Sequence, residues 1–237
     1  MILAIVQARM SSSRLPGKVL KPILGRAMVA RQMDRLALCK SIDRLVLATS
    51  REPSDDPLAA IAALEGWRCH RGALDDVLDR FASAAAAHGP AGHIVRLTAD
   101  CPLIDPEIVD LTVAHHLATG ADYTSNALPG RRTFPDGLDT EVMTATALNR
   151  AAREAVTRPH REHVTPYLYE NPALFKLAGL TQPRDLGLLR WTVDVPADFD
   201  FAAAVFAEIQ PVRPGFGQDD ILDLLARRPD IARINAG

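Results

Sequence analysis

Met1-Ile-Leu-Ala-Ile-Val-Gln-Ala-Arg-Met-Ser-Ser-Ser-Arg-Leu-Pro-Gly-Lys18 decides how the rest of the chain is read. Residues 2–6 form a short apolar run of the kind found in a buried parallel strand. The run passes directly into a loop with three serines, Arg9, Arg14, Gly17 and Lys18. No acid occurs in the first 25 residues, so Arg9, Arg14, Lys18 and Lys21 give that stretch a charge of +4. Open α/β sheets bind ligands beyond the carboxyl ends of their strands. A basic loop of small residues at that position suits a polyphosphate.

Outward from this stretch, strand and helix patterns alternate. Residues 45–49, 67–71 and 93–98 read as further strands, and 28–39, 57–64 and 75–88 as helices. Asp55 or Asp56 is suited to cap the second helix, with Pro57 at its first position. Such a βαβ series predicts a mainly parallel, three-layer α/β sheet with right-handed crossovers. Past Pro106 the pattern predicts a helix over 108–117, a loop-rich stretch over 122–135 and a strand over 139–143. A helix over 159–169 and a strand over 174–180 follow. Residues 190–193 read as a returning strand and 196–208 as a helix, with Asp219 capping a last helix over 220–227. The whole chain, 1–237, reads as one domain, and 125–185 as a lobe inserted within it.

Composition narrows the function classes. The chain of 237 residues is 48% hydrophobic and 24% charged, enough to bury a sizeable core. A net charge of −2 and the lack of a long basic stripe argue against a nucleic-acid partner. Three cysteines, Cys39, Cys69 and Cys101, without CxxC spacing argue against a disulfide framework or a zinc site. No apolar run is long enough to span a membrane, and residues 2–6 are too short for a signal peptide. The expectation is a cytoplasmic protein with no membrane partner.

Three constellations carry chemistry. Gly17-Lys18 invites comparison with a Walker loop, but Ser12 and Val19 stand where that motif needs Gly and Ser or Thr. Gly215-Phe-Gly217 is an isolated GxG and reads as a loop. Arg96-Leu-Thr-Ala-Asp-Cys-Pro-Leu-Ile-Asp105 places Asp100 just past an apolar strand, where a carboxylate facing phosphates implies an intervening Mg²⁺. Asp105, immediately before Pro106, reads as a helix cap. Arg190-Trp-Thr-Val-Asp-Val-Pro-Ala-Asp-Phe-Asp200 repeats the strand-then-acid pattern with Asp194. Asp198-Phe-Asp200 formally matches the DxD of sugar transferases, but a first helical turn favours acids without that role.

Together, Gln7-Ala-Arg-Met-Ser-Ser-Ser-Arg-Leu-Pro-Gly-Lys18, Leu97-Thr-Ala-Asp-Cys-Pro102 and Thr192-Val-Asp-Val-Pro-Ala-Asp198 resemble the CMP-sugar cytidylyltransferases, which include the acylneuraminate and 3-deoxy-manno-octulosonate enzymes. Arg71-Gly72 with Asp76-Val-Leu78, Phe134-Pro-Asp-Gly-Leu-Asp-Thr-Glu141 and His160-Arg-Glu-His-Val-Thr-Pro-Tyr167 place the resemblance nearest the SpsF branch of spore-coat polysaccharide synthesis. It covers roughly residues 1–208 and implies a nucleotide-diphospho-sugar transferase fold that uses CTP and Mg²⁺. By the family pattern, Arg9, Ser13, Arg14 and Lys18 would hold the triphosphate, with Arg14, Lys18 and Asp100 catalytic. Asp100 and Asp194 would hold the metal. Backbone at Ala8, with Arg71 and Asp76 nearby, would select the base, and the inserted lobe would form a homodimer.

The acceptor side falls to 125–185. Asn126, Asp136, Asp139 and Glu141 carry groups suited to a polyol, a sugar or sugar acid. His160 and His163 stand at i, i+3 on one helix face and leave three roles open: a metal pair, a base or substrate contact, and a structural pair. The expected reaction is CMP transfer from CTP with release of pyrophosphate. Alternatives are a glycosyltransferase using a nucleotide-sugar donor and a non-catalytic nucleotide-binding module.

Overall fold

Both faces of the first strand, β1 (Ile2–Gln7), are covered, and Leu3 to Val6 are fully buried. The computed structural model describes residues 1–235; residues 236 and 237, included in the expected domain, lie outside the described residues. In chain order there follow a small hairpin, β2 (Pro22–Ile23) and β3 (Arg26–Ala27), then α1 (Met28–Leu36), β4 (Arg44–Ser50), α2 (Asp56–Leu64), β5 (Arg68–Gly72), α3 (Val77–His88), β6 (His93–Thr98) and α4 (Pro106–Thr119). The second half supplies β7 (Tyr123–Ser125), β8 (Glu141–Thr144), α5 (Ala145–Glu154), α6 (Arg158–His163), α7 (Pro166–Tyr169), β9 (Leu177–Gly179), α8 (Pro196–Ile209), α9 (Gln218–Arg227) and α10 (Pro229–Ala232).

Seven strands form one sheet in the order β5-β4-β1-β6-β8-β7-β9. The first four are mutually parallel, and β8 runs antiparallel between β6 and β7. Alternation along β1 sends Ala4 and Val6 to one core and Leu3 and Ile5 to the other. The first core is closed by Met28, Val29 and Met33 of α1, Val109 and Val113 of α4 and Phe201 and Phe206 of α8. The second is closed by Val77 and Phe81 of α3 and Leu148 and Ala151 of α5. Burying each large aliphatic or aromatic side chain contributes roughly 1.5–3 kcal/mol. The expected mainly parallel three-layer α/β architecture is the one observed. Segment 125–185 joins the main sheet, because β8 pairs directly with β6, Ile94 opposite Met143. Among the described residues no helix is long and apolar enough to cross a membrane.

Several elements differ from the sequence pattern. Residues 190–193 form no sheet strand, since β8 already occupies the edge of β6, and Arg190 makes only an isolated bridge to Asp136. Their backbone bonds to loops instead: Trp191 N–H donates to Asp136 C=O at 2.6 Å and Val193 N–H to Asp100 C=O at 2.8 Å. The expected helix over 159–169 is divided into α6 and α7 at Val164, whose φ is 71°. Asp55 occupies the N-cap position of α2, but its side chain does not cap that helix. Gly217, not Asp219, is the N-cap of α9, and the short α10 follows it.

Candidate active site

The loop after β1 is anchored from below. Ala8 N–H continues the ladder to Ala48 C=O at 3.0 Å, and Met10 N–H donates to Asp55 Oδ1 at 2.7 Å. Asp55 is fully buried and also accepts from the Ser50 backbone N–H at 3.2 Å, so its carboxylate ties the loop to the end of β4. Gly17, at φ 70°, starts a single 3-10 turn over Lys18–Leu20. This left-handed step favours glycine and turns Lys18 back into the protein. Lys18 is buried, and its ammonium donates to Val193 C=O at 2.5 Å and to Asp194 Oδ1 at 3.1 Å, and lies 3.6 Å from Asp100 Oδ2.

Asp100 and Asp194 therefore face each other across one ammonium despite their separation in sequence. Asp100 follows β6 as expected, but Asp194 arrives on the irregular segment before α8 and not on a sheet strand. Its position is set by Asp198, whose Oδ2 accepts from the backbone N–H groups of Asp194 and Val195, both at 2.9 Å, and from Arg190 at 2.5 Å. Asp198 is buried while Asp200 is exposed. The formal DxD thus serves the start of α8 and presents no converging acid pair. Gly137 supports the same segment from the other side: a Cβ there would lie 2.5 Å from Thr192 N, and its φ is 107°. The Phe134-Pro-Asp-Gly137 stretch is thereby a wall for the segment carrying Asp194.

These groups line a cleft of about 180 Å³ with Gln7, Ala8, Arg9, Ser12, Ser13, Arg80 and Thr98. Arg14 stands at its mouth, its guanidinium 2.9 Å from Asp194 Oδ2, with the side chain 61% exposed. Two expected base-selecting side chains are not among the lining residues. Arg71 bonds Ser50 C=O at 2.9 Å and pairs with Asp56 at 2.7 Å. Asp76 caps α3 through Asp79 N–H at 2.9 Å and pairs with Arg161. Arg80 takes their place in the lining. It is buried, bonds Ala73 and Leu74 carbonyls, and its pKa is lowered to about 10 by burial. The sequence did carry a signal for it, a cation on the apolar face of α3 in register with Val77, Phe81 and Ala84.

Of the acceptor candidates, Asp139, Glu141 and His163 line a second cleft of about 220 Å³, with Arg96, Tyr123, Arg132, Thr165 and Tyr169. Glu141 accepts from Arg96 and from the Tyr123 hydroxyl, and Arg132 grips Asp139 at 2.6 and 2.7 Å. Arg132 also lies 3.7 Å from Asp136. Asn126, Asp136 and His160 are not brought there. Asn126 is buried, donating to Leu138 C=O and accepting from Thr140 N–H, each at 2.8 Å, and so ties two loops together. The backbone of Asp136 bridges to Leu189 and Trp191, while burial and neighbouring Asp139 raise its carboxyl pKa. His160 pairs with Glu170 at 2.8 Å and packs against Tyr167, whereas His163, on the same helix, lines the second cleft beside Thr165. Among the described residues no group of three or more His, Cys, Asp or Glu side chains is placed to hold a metal ion.

The sheet order and the charged cleft at its strand ends define a nucleotide-diphospho-sugar transferase fold. The family model described as Cytidylyltransferase matches residues 3–207. The spore coat polysaccharide biosynthesis protein SpsF of Bacillus subtilis (strain 168) is 37% identical over 240 residues, covering 98% of this chain and 96% of that protein. A solved cytidylyltransferase from Leptospira borgpetersenii serovar Hardjo-bovis (strain JB197) superposes with a TM-score of 0.91 at 31% identity, over 97% of this chain and 95% of that one. A CMP:2-keto-3-deoxy-manno-octonic acid synthetase solved with CTP shares the fold at a TM-score of 0.64 and 17% identity, over 87% and 98%. The chain belongs to the cytidylyltransferase family, whose members are nucleotidyltransferase enzymes.

Proposed function

We propose that this protein transfers CMP from CTP to a hydroxyl of a sugar or sugar acid, releasing pyrophosphate, in the synthesis of a polysaccharide or glycan. The observation that carries this reading is the meeting of Lys18 and Arg14 with Asp100 and Asp194 at the strand ends. Two facing carboxylates fit Mg²⁺, which keeps several waters and takes its remaining ligands from phosphate oxygens. When bound, Mg²⁺ would screen α-phosphate charge and lower the pKa of the attacking hydroxyl. Arg9, Ser13, Arg14 and Lys18 hold the triphosphate, and Lys18 and Arg14 balance the charge that develops on departing pyrophosphate. Ala8 and Arg80 adjoin the base and ribose. No covalent nucleophile is needed, because positioning and charge neutralisation supply the acceleration.

The acceptor occupies the second cleft, where Asp139 and His163 meet its hydroxyls and Glu141 holds the wall through Arg96 and Tyr123. Because Asp198 and Asp200 do not converge, the glycosyltransferase alternative lacks its acid pair. We place the enzyme in the cytoplasm, in keeping with three free thiols, as a homodimer formed through 125–185. Thermal unfolding tests the nucleotide assignment. With Mg²⁺ present, CTP at ~100-fold above its Kd adds about 2.7 kcal/mol of stability. ATP and GTP add less, and equal shifts with all triphosphates overturn the cytidine assignment.

A further inference from the structure

The acids suited to metal are already compensated by cations of the protein itself. Asp194 receives Lys18 at 3.1 Å, Arg14 at 2.9 Å and, more distantly, Arg190 at 3.8 Å; Asp100 has Lys18 at 3.6 Å. Cations in these positions oppose a divalent ion by direct repulsion and by occupying the carboxylate lone pairs. Their accessibility differs. Lys18 is buried and additionally held by Val193 C=O, whereas Arg14 lies on an exposed loop. A triphosphate offers these cations more negative charge than Asp194 does, and Arg14 can reach it without any rearrangement of the core.

We propose that Arg14 and Lys18 act as internal counter-ions that keep a divalent metal off Asp100 and Asp194 until a triphosphate draws both cations away. This rests on the nucleotide assignment above and adds an order to it: phosphate engages the cations first, and the freed carboxylates then take the ion. Arg14 and Lys18 are thus positioning residues for the metal as well as contacts for phosphate. By linkage, a carboxylate that holds these cations also opposes metal-free nucleotide.

Two binding measurements test this, neither of which reads activity. The first titrates Mn²⁺ into nucleotide-free protein, following unbound Mn²⁺ by electron paramagnetic resonance. Arg14→Gln tightens Mn²⁺ binding about threefold, the scale of a lost exposed ion pair, and Lys18→Gln tightens it about tenfold if the variant folds. Adding Asp194→Asn to Arg14→Gln removes the gain. The second titrates CTP calorimetrically in EDTA, where Asp194→Asn binds metal-free CTP more tightly than wild type, by about threefold or more. Unchanged Mn²⁺ affinity in Arg14→Gln, or equal or weaker metal-free CTP binding in Asp194→Asn, overturns the proposal. If CTP binds to neither protein with or without metal, the nucleotide assignment fails, and the Mn²⁺ arm alone then judges the counter-ion role.

Discussion

Two clefts adjoin the carboxyl end of β6, and their charges are arranged in opposite ways. Around Lys18, Asp100 and Asp194 share one ammonium, which Val193 C=O also holds, and Arg14 reaches Asp194 from an exposed loop. Around Glu141, the charges form closed groups: Arg96 with Glu141 and the Tyr123 hydroxyl, and Arg132 in a two-point grip on Asp139. The first arrangement can exchange partners when a more highly charged ligand arrives. In the second, the largely buried Arg96–Glu141 pair is a fixed part of the wall, because breaking it leaves an uncompensated charge behind. One cleft is built to respond to charge and the other to hold a shape.

The contrast is broken most directly by Glu141→Gln, which leaves the buried Arg96 guanidinium without its counter-charge. Stability falls by about 3–5 kcal/mol, read from denaturant unfolding. A loss below about 1 kcal/mol would show that the wall is not held by this pair. Lys18→Ala comes next and shows the opposite signature. Turnover falls roughly 10²–10³-fold, as when a donor to developing negative charge is removed. Near-normal turnover would remove Lys18 from the phosphate site. The smallest effect separates the two histidines. His163→Gln raises KM for the acceptor about tenfold, equivalent to about 1.4 kcal/mol, and leaves KM for CTP unchanged. His160→Gln loses only a half-exposed contact with Glu170, worth roughly 0.2–1 kcal/mol of stability. Equal KM effects from both would contradict the placing of His163, and not His160, in the second cleft.

The same contrast explains how far the sequence could be read. The strand over 2–6, the basic loop and Asp100 were legible because local order suffices: a parallel strand ends where the loop begins, and all four parallel strands end on one side. Asp105 was legible as a cap for a similar reason, accepting from Glu107 N–H at 2.9 Å. Asp194 was legible as a residue but not in its route, since the N–H groups of its segment donate to carbonyls of loops distant in sequence. When only residue type is visible, Asn126 reads as a polyol ligand and His160 leaves a metal, a substrate and a structural role open. Their polar atoms bond Leu138, Thr140 and Glu170, partners that only the folded chain supplies. Asp55 shows the converse case, where a local capping pattern gives way to a distant demand, the Met10 N–H of the basic loop after β1. Arg80 was hidden among apolar neighbours on α3, and its place in the cleft follows from how that helix packs under β5. Gly72 makes that approach possible, since a Cβ there would lie 2.8 Å from Arg80 Cγ.

The most direct measurement is pyrophosphate release from CTP, ATP, GTP and UTP, each with Mg²⁺, crossed with a panel of sugars and sugar acids that includes 3-deoxy-manno-octulosonate and N-acetylneuraminate. CTP-dependent release with at least one acceptor, lost in Lys18→Ala and in Asp194→Asn, is the predicted result. Release that ignores the base, or that survives in both variants, would contradict the assignment of the Lys18 cleft to CMP transfer.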